Sequence, residues 1–204
     1  MPAKTAYHHG NLKPALIAAA LKEISREGPD GFSLRGVARR AGVSAPAVYR
    51  HFEDKEHLLA AVATECSERM AATVAAAQAK ASPHPLAQFR AIGIALVQFA
   101  AANPEHFRAI SMPGVLGKSP GRSEQDAARI AAGQRAGLIA DIPVDDIMLA
   151  ANALVTGLAH MIVEGQLGPV DDKRATELAT AVTGVIGVGL VPRDEVVPGR
   201  KKTS

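Results

Sequence analysis

Ser33–Lys55, SLRGVARRAGVSAPAVYRHFEDK, is the stretch on which the reading of this chain turns. Ser33 sits where a helix N-cap belongs, and Leu34, Val37, Ala38 and Ala41 follow at the spacing of one helical face. Gly42 comes just after that face ends, as a left-handed C-cap requires. Ser44 then stands as the cap of another helix, with Pro46 tolerated in its first turn and Val48 and Phe52 pointing inward. Asp54 caps a further helix that opens at Lys55. The spacing therefore predicts two short helices joined by Gly42-Val43-Ser44, the second covering Ala45–His51. Four arginines, a tyrosine, a histidine and a lysine decorate the pair. A second helix that enters a groove about 12 Å wide, while the first crosses the backbone, has this layout.

Each side chain of the segment suggests a task. Ser44 at a helix N-terminus offers a hydroxyl, free N–H groups and a favourable dipole to a phosphate. The small Ala45 and Ala47 let the helix approach base edges closely. Tyr49 and His51 can hydrogen-bond phosphates, and Lys55 can pair with the same strand. Arg35 reaches either a phosphate or a guanine edge. Arg50 is left between reading a base and simple solvation, and Arg39 and Arg40 read as a solvated or general electrostatic face. Gly36, inside the first helix, predicts local softness, since glycine there costs about 1 kcal/mol relative to alanine.

Charge placement agrees with this. Residues 1–60 hold nine Lys/Arg against six Asp/Glu, whereas residues 61–204 hold fourteen of each, so the net charge of +3 lies entirely in the first part. A localised phosphate-binding surface needs that concentration. Upstream, Asn11 can cap a helix to about Arg26, with Ile17, Ala20, Leu21 and Ile24 as its apolar stripe, and Gly28-Pro29-Asp30-Gly31 breaks it. Downstream, helices are expected from Asp54 to about residue 80 and near 86–102, 104–111, 122–138, 144–166 and 172–190. No strand alternation stands out. With aromatics at 3% and no Trp, the core must come from Ala, Leu, Val and Ile.

At these residues the chain resembles the TetR/AcrR family of bacterial transcriptional regulators. YHHGNLKPALIAAALKEISREG and FSLRGVARRAGVSAPAVYRHFEDKEHLL carry the resemblance over about residues 7–59, and ALVTGLAHMIVEGQLG carries it more weakly. The resemblance implies an all-α chain with a three-helix helix-turn-helix domain and a helical-bundle domain for ligand binding and dimerisation. It implies that Arg35, Ser44, Ala45, Pro46, Ala47, Tyr49, His51 and Lys55 occupy DNA-contacting positions. The expected division is residues 1–55 for DNA binding, 56–190 for ligand binding and dimerisation, and 191–204 as a disordered basic tail.

The function expected is that of a ligand-responsive homodimeric regulator, a repressor released from a palindromic operator on double-stranded DNA by a small apolar or amphipathic molecule. The dimer seam is expected on the helices near 144–166 and 172–190, through Ile147, Ala150, Ala151, Leu154 and Leu158 on the first and Leu178, Ala179, Val182, Val185 and Ile186 on the second. These residues read alternatively as internal core. Candidate cavity liners are Phe89, Phe99, Phe107, Met112, His160 and Met161, with the Pro/Gly-rich Met112–Arg122 loop as a gate. His160 stands out as a polar group in an apolar helix.

Other classes fit less well. The chain has no HExxH, no Gly-rich phosphate loop and no nucleophile–base set, so an enzyme, a cofactor and a bound metal are not expected. His8 and His9 on an N-terminal arm are poor chelators, and the arm can instead touch a minor groove or phosphate. Cys66 alone makes no internal disulfide and reads as a small buried hydrophobe. A helical small-molecule-binding or protein-interaction module without specific DNA binding remains the alternative, but it would not need the basic face at 35–55. MPAKTAYHHG has no apolar signal-peptide core, and runs such as Ile92–Ala102 are too short to span a bilayer, so a cytoplasmic protein is expected, with no membrane partner.

Overall fold

A computed structural model describes residues 12–111 and 124–191. The N-terminal arm, Met112 with the 112–122 loop, and the tail beyond Val191 lie outside the described residues. The described residues form nine helices, and the fold is all-α as expected. They are α1 (Leu12–Gly31), α2 (Leu34–Ala41), α3 (Ala45–Tyr49), α4 (Lys55–Lys80), α5 (Pro85–Ala102), α6 (Pro104–Ser111), α7 (Glu124–Arg135), α8 (Val144–Val163) and α9 (Asp172–Leu190). Residues 12–72 and 102–111 form one compact unit, and residues 73–101 and 124–191 form another. The boundary expected at 55/56 marks the start of α4, whereas the compact division falls inside α4, after Ala72, and gives α6 to the first unit.

In the first unit α1 packs on α2 and α6, and α2 packs on α3. Its core holds Leu16, Ala20, Ile24, Val37, Val48, Phe52, Leu58, Val62 and Cys66, all nearly or wholly removed from solvent. Each buried Leu, Ile, Val or Phe contributes about 1.5–3 kcal/mol. The α1 stripe is turned slightly from the expected one: Leu16 is fully buried and Ile17 only half-buried. The Gly28 break is present, with φ 76° and ψ 168°, a conformation open to glycine.

The second unit is built on Ile130, Ile139, Ile147, Met148 and Leu190, with Leu86, Phe89, Ile142, Val144 and Ile186 packed against them. Gln134 ties the α7–α8 connection in place, its Nε2 donating to the carbonyls of Ala140 (2.9 Å) and Ile142 (2.6 Å). The Ala140 N–H donates to Leu190 O at the end of α9 (2.8 Å). Gly93 marks a close approach of α5 to its neighbours, since a Cβ there would lie 2.9 Å from Thr183 Cγ2 and 3.1 Å from Val155 Cγ2. By length and composition α5 and α8 are each long and apolar enough to cross a membrane, more than the Ile92–Ala102 run suggests. Their hydropathy also suits core helices, and α8 packs between α7 and α9.

Candidate nucleic-acid interface

The helix pair at 33–49 is assembled from local rules. Ser33 has the extended backbone of an N-cap, and its Oγ accepts the Gly36 N–H at 3.1 Å. Gly42 closes α2 at φ 68°, and the Val43 N–H donates to Ala38 O at 3.0 Å. Ser44 is extended too and occupies the N-cap position of α3 as expected, its carbonyl accepting the Ala47 N–H at 2.9 Å, but its hydroxyl makes no cap bond. With only five residues, α3 is also shorter than the expected Ala45–His51. Asp54 does cap α4, its Oδ1 accepting the His57 N–H at 2.8 Å.

Arg35, Ser44, Pro46, Tyr49, Arg50 and His51 are exposed, and Tyr49 keeps 52% of its surface although it is large and partly apolar. Ala45 is half-buried. Ala47 is 6% exposed and packs inward beside Val48, so it is not an open position for base edges. Burial of Ala47, Val48 and Phe52 is what turns Tyr49, Arg50 and His51 outward.

Lys55 is only half-exposed and is engaged with the protein itself. Its Nζ donates to Asp30 O at 2.7 Å and lies 4.9 Å from the centre of the Phe32 ring. An ammonium has three donors, so this leaves capacity for a phosphate. Lys13 sits 5.9 Å from the centre of the Phe52 ring.

A buried acid underlies the pair, and sequence reasoning passed over it. Glu23 on α1 is 5% exposed, and its Oε1 accepts from Arg40 Nε at 2.6 Å. Arg40 thus stays on the exposed face expected of it and also clamps the buried acid. A Cβ on Gly36 would stand 3.1 Å from Glu23 Oε2 and 3.2 Å from Ser33 Oγ. The glycine read as a soft spot is the place where α2 admits the carboxylate. A charged residue in the α1 stripe seventeen positions before Arg40 was the available signal.

Two titratable groups of this unit are displaced. Burial, helped by Glu65 and opposed by Arg69, pushes the Cys66 thiol up to about 11. Burial, followed by the nearby Arg69, holds His106 below the usual histidine range, while Glu65 and Glu105 pull it back. Cys66 is accordingly an inert core group.

The second unit contains a cavity between α5, α8 and α9, with about 550 Å³ of empty space counting the part open to solvent. Its wall includes Leu86, Phe89, Leu96, Met148, Val155 and Ile186, and its polar groups are Arg90, Asn152 and Thr183. Of the expected liners Phe89 belongs to this wall. Phe99 and Phe107 are buried core side chains outside it, the latter in the first unit. His160 and Met161 lie on an exposed part of α8 and are not in its wall. Arg90, inside the apolar run PLAQFRAIGIALVQFAAA, was the missed signal.

The residues considered for a dimer seam divide. Ile147, Ala151, Leu158 and Ala179 are buried within the protomer. Leu154 and Val185 are exposed, Val185 at 73%; Leu149, at 61%, Met161 and Val188, which were not among the expected seam residues, are exposed on the same two helices.

Known proteins resemble both parts. Residues 16–62 match the model of bacterial regulatory proteins of the tetR family, and residues 89–185 match that of the tetracyclin repressor-like C-terminal domain. The HTH-type transcriptional regulator BetI of Burkholderia thailandensis is 38% identical over 77 residues, which is 38% of this chain and spans only 40% of that protein. A solved Rhodococcus sp. RHA1 protein of unknown function is 31% identical, covering 93% of this chain and all of its own, with a TM-score of 0.69. A TetR family transcription regulator from Marinobacter aquaeolei VT8 shares the fold at 19% identity and a TM-score of 0.71, with coverage of 89% and 96%.

Proposed function

Because the chain belongs to the tetR family of bacterial regulatory proteins, soluble transcription regulators with a DNA-binding domain and a ligand-binding C-terminal domain, we propose that it is a cytoplasmic, homodimeric, non-enzymatic repressor. A small apolar or amphipathic effector in the second unit releases it from a palindromic operator. The observation that carries this reading is the exposed array of Arg35, Ser44, Tyr49, Arg50 and His51 on a helix pair whose first member is capped at both ends by Ser33 and Gly42. Such an array supplies cations and hydroxyls to phosphates but few base-reading groups, so sequence-dependent DNA shape contributes to operator choice.

One head with so few base contacts binds weakly, and two linked heads gain by avidity. The exposed apolar side chains of α8 and α9 support a seam there: Leu149, Leu154, Val185 and Val188 are large for a solvated surface. Release follows by population shift, the effector binding better to a form of the dimer that misfits the operator.

Mobility-shift titration against the DNA upstream of its own gene tests the reading. Salt-sensitive binding to a palindrome, weakened by Tyr49→Ala, is expected. Absence of sequence-specific binding to any palindrome would sink it.

A further inference from the structure

The unused polar capacity of the second unit's cavity is of one kind. Arg90 is the charged residue of its wall, and no acidic side chain lines it. The Arg90 Nε is shut away from solvent without a hydrogen-bond partner. Among the described residues its Nη2 reaches only the Thr180 carbonyl, at 3.5 Å. Among the described residues no carboxylate lies within ion-pair distance of it. Asn152 engages Thr156 through Oδ1 alone, at 3.4 Å, which leaves its amide hydrogens unused. A buried donor without an acceptor is unfavourable, and a guanidinium presents its donors as a planar fork matched to a carboxylate. Gly184 and Gly187 of α9 lie beside the Arg90 side chain, where a Cβ on either would make only ordinary van der Waals contact, at 4.0 Å and 3.7 Å.

We propose that this cavity binds an amphipathic monocarboxylate, with Arg90 and Asn152 holding the head and the wall around Phe89, Leu96 and Met148 enclosing the apolar body. The assignment rests on the reading of this unit as the effector-binding part and adds the chemical class of the effector. The donors favour an anion over an ammonium or a neutral head. A single guanidinium among apolar neighbours favours one negative charge over two.

Calorimetric titration of the full chain with octanoate, 1-octanol and octylammonium tests it. Octanoate should bind with a Kd at or below about 1 mM. Octanol should bind at least about ten-fold more weakly, the worth of a charge-assisted hydrogen bond, and octylammonium more weakly still. Arg90→Met should reduce octanoate to the octanol level and leave octanol unchanged, and Arg90→Lys should fall between. Octanol binding as well as octanoate, no octanoate binding at 1 mM, or a folded Arg90→Met that binds octanoate like the parent would each overturn the proposal. If Arg90→Met does not fold, the headgroup comparison and Arg90→Lys decide. A mobility shift on the ligand-free protein runs alongside. Operator binding without octanoate binding removes this inference alone, whereas loss of operator binding removes the repressor reading and leaves the carboxylate site standing.

Discussion

Gly36→Ala probes the fit between α1 and α2. The new methyl carbon would meet Glu23 Oε2 at 3.1 Å and Ser33 Oγ at 3.2 Å, so both atoms must give by a few tenths of an ångström. The hydroxyl, which accepts the Gly36 N–H, can give only slightly, and the carboxylate is held by Arg40 at 2.6 Å in a largely buried site. Alanine gains about 1 kcal/mol over glycine inside a helix. Straining, without breaking, a charge-assisted hydrogen bond worth about 1.5–3 kcal/mol, together with slight local overpacking, costs about 2 kcal/mol and outweighs that gain. The net expectation is a loss of about 1 kcal/mol. In a Glu23→Ala background the nearer obstacle is absent and only the Ser33 contact remains, so the same change should stabilise by up to about 1 kcal/mol. The coupling of up to about 2 kcal/mol lies within the range of contacting residues. Urea unfolding of the parent, both single variants and the double variant, at one protomer concentration, measures it. Equal stabilisation by Gly36→Ala in both backgrounds would refute the argument.

Tyr49→Phe removes only the exposed hydroxyl and should weaken operator binding about ten-fold if it meets a phosphate, with folding untouched. Lys55→Ala should flatten the salt slope by about one and also lower stability, because it deletes the bond to Asp30 O; an unchanged slope would assign Lys55 to structure alone. Gly93→Ala drives a carbon against Thr183 and Val155, and after the helix-propensity gain it should cost about 1–2 kcal/mol in unit stability, seen as a lower melting temperature. His106 is held below its usual pKa, so below about pH 6.5 the unfolded chain takes up a proton that the folded chain resists. Stability should therefore fall as pH drops through that window, and His106→Gln should flatten the fall in urea midpoints between pH 7.5 and 5.5. Cys66, with its thiol pushed up to about 11, should resist iodoacetamide at pH 8 in the folded protein and react at once in urea; rapid native labelling would contradict its burial.

What could be read from the sequence followed from chemistry acting over a few residues. Ser33, Gly42 and Asp54 each settle one backbone group or one φ, and the structure holds all three in those duties. Ser44 stands at the N-cap of α3 without a side-chain bond, a detail that the residue type alone does not fix. The cavity was less legible, since its wall comes from helices far apart in sequence, Arg90 and Thr180 being ninety residues apart. His160 was singled out as a polar group in an apolar run, yet α8 also has an exposed side and His160 falls there. Gly36 could not be understood without Glu23, whose partner Arg40 lies on another helix.

The bond from Lys55 to the Asp30 carbonyl closes the chain into a ring at its neck, with α2 and α3 as the ring's contents. A closed ring is a modular object. Its rim, at Arg35, Tyr49, Arg50 and His51, is exposed and makes no part of the fastening, so side chains there can change without loosening the bond that holds the ring shut.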